Sequence, residues 1–61
     1  MKRRDLLRHL AKHGCRFVRE GSDHSVWENP ANRRRTVIQR HREIPDYAAT
    51  TICKQLGIPK P

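Results

Sequence analysis

Four histidines, two cysteines and a run of arginines carry most of the side chains that could move a proton, bind a metal or hold a phosphate in this 61-residue chain. His24 is the histidine that its neighbours single out. It opens a run, His24-Ser25-Val26-Trp27, that reads as a strand, and a similar run, Phe17-Val18-Arg19-Glu20, lies before it. The Gly21-Ser22-Asp23 stretch between them predicts a β-hairpin turn. Glycine accepts positive φ in such a turn, and Ser and Asp side chains bond nearby backbone N–H groups. With Gly21 and Ser22 so small, a bulky substrate can approach His24 closely. Imidazole, whose ordinary pKa is about 6.5, gives and takes protons near neutral pH. Taken alone, a histidine at a strand start is more often structural than catalytic.

The other histidines read differently. His9 and His13 are spaced i, i+4 on an expected helix, which suits zinc, but no third and fourth ligand accompanies them at usable spacing. No metal site and no cofactor are therefore expected. His41 sits among arginines in Gln39-Arg40-His41-Arg42-Glu43, where it either contacts phosphate or serves as a second catalytic group. Cys15 and Cys53 could form a disulfide by count alone. Without an export signal, two cysteines read rather as small buried apolar residues.

Lys and Arg number 14 against 6 Asp and Glu, a net charge of +8. That balance calls for a polyanionic partner: nucleic acid, an anionic membrane surface or an acidic protein. No apolar run exceeds three residues, so neither a transmembrane helix nor a signal peptide is expected, and the cytoplasm is the expected location. The length allows one domain, residues 1–61, with a thin core.

Residues 2–13 predict a helix, with Leu6, Leu7, Leu10 and Ala11 on its apolar face and Arg4, Arg8 and Lys12 as a basic stripe opposite. Gly14 is its expected C-cap. Cys15 to Glu20 alternates with period two. Asn29-Pro30-Ala31-Asn32 predicts a second turn, and Arg33 to Ile38 a third strand. A last helix follows Ile44-Pro45, with Asp46 as cap or first-turn acid. Its buried face is Ala48, Ala49, Ile52 and Leu56, and Gly57 ends it. The order α-β-β-β-α predicts an α+β fold: a three-stranded antiparallel sheet with both helices on one face. Arginines then line the other face. Alternation groups His24, Val26 and Glu28 against Ser25 and Trp27, and either set could be the buried one.

Gly21-Ser22-Asp23-His24, Arg40-His41-Arg42-Glu43-Ile44-Pro45 and Ile52-Cys53-Lys54-Gln55-Leu56-Gly57-Ile58-Pro59 occur in an order and spacing that resemble the HicA family of bacterial toxins. The resemblance covers nearly the whole chain. It departs at Gln39, where many relatives carry proline, and in Asp46-Tyr47-Ala48-Ala49-Thr50-Thr51, where many carry a basic residue. The resemblance implies a double-stranded-RNA-binding-like fold and an mRNA interferase held inactive by a HicB-type antitoxin. It places the catalytic histidine after a Gly-Ser turn, the position of His24.

The expected function is a metal-independent endoribonuclease toxin. His24 is its general acid or base, and Gly21, Ser22, Arg40, His41 and Arg42 are its RNA contacts. A non-catalytic RNA-binding module is the alternative, since fold and charge serve it equally well.

Overall fold

The computed structural model describes residues 1–61 and has the elements α1 (Arg3–Lys12), β1 (Arg16–Glu20), β2 (His24–Asn29), β3 (Arg34–Gln39) and α2 (Asp46–Leu56). The strands form one antiparallel meander in the order β1-β2-β3. The fold class is the one expected: α+β, in the order α-β-β-β-α.

Helix α1 is a residue shorter at each end than its periodicity predicts. Lys2 is extended (φ −75°, ψ 140°) and bridges Glu43 instead of starting the helix, and Gly14 reverses the chain at φ 84°. Leu6 and Leu10 are fully buried and Leu7 half-buried, but Ala11 is exposed. The buried stripe is thus narrower than the apolar one.

Strand β1 departs from plain alternation. A bulge between Phe17 and Arg19 leaves Val18 without a partner on β2. Cys15 enters the core, whereas Phe17 stays half exposed and rests edge-on against Trp27, with ring centroids 6.3 Å apart. In the second turn Arg33 has φ 62° and its N–H donates to Asn29 O at 2.7 Å. Arg33 therefore belongs to the turn, and β3 begins one residue later than expected.

Helix α2 buries Ala49, Ile52, Cys53 and Leu56, while Ala48 is only half-buried. Gly57 ends it in the left-handed region (φ 72°), with Ile58 N donating to Cys53 O at 3.0 Å. Asp46 does not cap the helix through its side chain; it sits in the first turn after Pro45.

Both helices cover the sheet face that carries Ser25, Trp27, Asn29, Thr36 and Ile38. Leu6, Leu10, Ile38, Ile44, Ile52, Cys53 and Leu56 fill the space between, with Trp27 packed at its edge. Asn29 Nδ2 donates to Leu56 O at 2.9 Å, and Thr36 Oγ1 meets Gln55 Oε1, so these two strands are bonded to α2 as well as packed on it. His24, Val26 and Glu28 lie on the opposite, uncovered face.

Cys15 and Cys53 are buried free thiols, as expected. Burial raises the pKa of both, which keeps them protonated and unreactive. His9 and His13 pack with their rings tilted 60° and centroids 4.6 Å apart, and His9 Nε2 bonds Pro59 O at 2.8 Å.

Candidate functional site

The β1–β2 connection brings His24 back over Gly21. Gly21 N donates to His24 O at 2.7 Å, leaving Ser22 and Asp23 as an exposed loop. Gly21 does not adopt positive φ; Gly14 and Gly57 are the glycines that do. Its smallness serves another purpose. A Cβ built on Gly21 would lie 2.9 Å from His24 Nε2, so the imidazole itself fills the space expected to admit substrate. The half-buried ring is held against backbone at the corner of the sheet.

His24 pairs with Gln39, the last residue of β3, and Arg40 N donates to Asp23 O at 3.3 Å. The loop that precedes His24 is thereby tied to the arginine-rich segment after β3. One residue on, the buried Ser25 hydroxyl accepts from Arg3 Nη2 at 2.8 Å and donates to Glu20 Oε1 at 3.0 Å. Glu20 Oε2 in turn holds Arg40 Nε at 3.1 Å, and Arg3 Nε donates to Gln39 O at 3.0 Å. This Arg3–Ser25–Glu20–Arg40 chain lies on the helix-covered side of the sheet, behind His24, and fixes two guanidiniums there.

His24, Gly21 and Ser22 therefore share one corner, and Arg40 is bonded to it through Asp23 and Glu20. Arg40 is already ion-paired, however. His41 and Arg42 lie on the exposed connection between β3 and α2, and Arg42 faces α1 across a cleft.

On the uncovered sheet face Glu28 lies between Arg16 and Arg35, at 3.0 Å from Arg16 Nη2 and 3.3 Å from Arg35 Nε. Hydrogen bonds from Arg16, then from Arg35, hold its carboxyl below the usual carboxylate range. Arg16 and Arg35 are the cross-strand partners of Glu28, so charge pairing would have found this clamp once the register was known. No comparable signal pointed to Arg3, whose place depends on how α1 lies on the sheet.

The class is that of a small basic α-β-β-β-α domain with a histidine packed on glycine at the sheet corner and an arginine-rich segment tied to the loop before it. Residues 3–58 match the family model described as the HicA toxin of bacterial toxin-antitoxin, and the chain belongs to that family. It is the toxin of a toxin-antitoxin system. Neither a curated protein nor a solved structure matches the chain. No helix is long and apolar enough to cross a membrane.

Proposed function

We propose that this toxin is a metal-independent endoribonuclease that cuts single-stranded mRNA and is neutralised by a HicB-type antitoxin. The observation that carries the reading is the His24 imidazole, packed on Gly21 at an exposed corner whose loop is tied to Arg40 through the Arg40 N–H to Asp23 O bond.

RNA brings its own nucleophile. The 2′-oxygen attacks the adjacent phosphorus, a 2′-O–P bond forms, and the P–O5′ bond breaks to leave a 2′,3′-cyclic phosphate and a 5′-hydroxyl. His24 either takes the 2′-hydroxyl proton or donates one to the departing 5′-oxygen; water carries the other transfer. A positioned acid or base supplies roughly 10²–10⁴-fold. Guanidiniums of Arg40 and Arg42 offset the charge on the phosphorane, and Gly21, Ser22 and His41 contact the strand. Arg40 must exchange its Glu20 partner for phosphate as RNA binds. The antitoxin acts by covering this corner, with carboxylates opposite Arg40 or Arg42; Arg33 and Arg34, also candidates by sequence, lie at the far end of the sheet beside the β2–β3 turn.

His24→Ala should abolish RNA cleavage and growth arrest with an unchanged circular dichroism spectrum. Gly21→Ala, by pushing on Nε2, should lower cleavage while RNA binding persists. Cleavage by wild-type protein should survive excess chelator, because no step needs an ion. A folded His24→Ala protein that still cuts RNA would refute the assignment. Wild-type protein that binds RNA and never cuts it would leave only a binding module.

A further inference from the structure

Between the start of α1 and the β3–α2 connection lies a cleft of about 650 Å³, within the range of about 300–1,000 Å³ that ligand sites occupy. Lys2, Arg3 and Arg4 form one wall, and Arg40 and Arg42 the other. Leu7 is the single apolar residue lining it and Glu43 the single carboxylate. The walls are joined by backbone: Arg3 N donates to Arg42 O at 2.7 Å, Ile44 N to Met1 O at 2.8 Å, and Lys2 bridges Glu43. The cations are therefore brought together by the fold rather than gathered by chance on flexible loops.

Their pairing is uneven. Arg40 is held by Glu20, and Glu43 lies 3.8 Å from the Met1 amine. Lys2, Arg4 and Arg42 take part in none of the chain's ion pairs. Like charges converging on one cleft repel each other until an anion enters. The uncovered sheet face offers less, because Glu28 already pairs two of its arginines, Arg16 and Arg35. A protein partner would need an apolar centre to its interface, and Leu7 alone does not provide one. A phosphodiester chain needs only the cations. Arg40, on the cleft wall, directly follows Gln39, the pairing partner of His24, so the cleft begins at the His24 end of the sheet.

We propose that this cleft, through Lys2, Arg4 and Arg42, binds the phosphate backbone of the RNA flanking the bond presented to His24. This rests on the endoribonuclease reading and adds α1 to the substrate surface.

The test uses the full chain carrying His24→Ala, so that RNA survives, and a labelled unstructured single-stranded RNA titrated by fluorescence anisotropy over a range of salt. Adding Lys2→Gln and Arg4→Gln should weaken binding and lower the slope of log K against log salt by about 0.7 for each phosphate no longer neutralised. Arg8→Gln with Lys12→Gln removes the same charge from α1 outside the cleft and should leave the slope unchanged. Thermal melts confirm that each variant is folded. Equal losses in the two pairs would show a response to net charge alone and overturn the proposal. Full affinity in the Lys2/Arg4 pair would overturn it too, and would leave the cleft for a protein. Wild-type cleavage separates the two readings. Protein that binds RNA through the cleft but never cuts refutes only the nuclease; protein that cuts, with the Lys2/Arg4 pair unimpaired, refutes only the cleft.

Discussion

At Gly21 and Glu28 the chemistry of single residues is set by what the opposite strand places beside them. Gly21 is needed because the His24 ring occupies the position of its missing side chain. Glu28 is ionised between two guanidiniums, which hydrogen-bond the carboxylate and lower its pKa in the folded state. A lowered folded-state pKa gives stability that is fully present above the ordinary value of 4.5 and is lost as pH falls through the lower folded value. As pH falls below 4.5 the wild type should therefore lose stability faster than Glu28→Gln, which has no proton to take up at this position. Chemical denaturation at each pH, at low salt, measures this. Arg16 and Arg35 are well exposed, so high salt should shrink the difference. Parallel pH profiles for the two proteins would remove Glu28 as the source.

Element by element, the least replaceable junction is the end of α2 against the β2–β3 turn. Asn29 Nδ2 and Asn32 Nδ2 both donate to Leu56 O at 2.9 Å, satisfying a carbonyl that the helix end leaves open. Gly57 makes that possible twice over. Its φ of 72° disfavours any side chain, and a Cβ would lie 2.7 Å from Asn32 Nδ2. Gly57→Ala should cost about 1–3 kcal/mol from the left-handed backbone and the displaced hydrogen bond. In a domain of this size each kcal/mol lowers Tm by about 4–8 °C. A calorimetric Tm equal to that of the wild type would mean that the turn and helix end are coupled more loosely than their hydrogen bonds imply. Loss of that coupling should not touch cleavage directly, because His24 lies at the other end of β2.

For the whole molecule the governing quantity is charge. A net +8 on 61 residues sets a positive field around the domain, and only some of those cations have partners within it. RNA binding by His24→Ala protein should fall nearly linearly on a log–log plot against salt, with a slope near −0.7 per phosphate neutralised. A flat response would exclude the RNA backbone as the main ligand. The core is small enough that one apolar layer between sheet and helices carries the fold.

Composition and periodicity determined the charge, the five elements, the meander and the helix-covered layer, because each depends on residues close in sequence. Period-two strands, turn residues and apolar repeats at helical spacing are local signals, and Leu6, Leu10, Ile52 and Leu56 fall where those repeats put them. The place of His24 at the turn and strand start was legible for the same reason, since the two are adjacent in the chain. Local reading failed where a residue answers to something distant. The bulge that exposes Phe17 and the turn that takes Arg33 follow from strand pairing and backbone bonding, which alternation does not encode. Only the tertiary structure assigned His24 to the uncovered face, because both alternating sets on β2 contain buried residues: Ser25 under the helices, and Val26 and Glu28 on the other side, Glu28 between two arginines. Arg3 met Ser25 across 22 positions, and the cleft formed across about forty, through the docking of α1 on the β3–α2 connection. That docking is decided by how the two helices share one thin core, and no spacing within either segment records it.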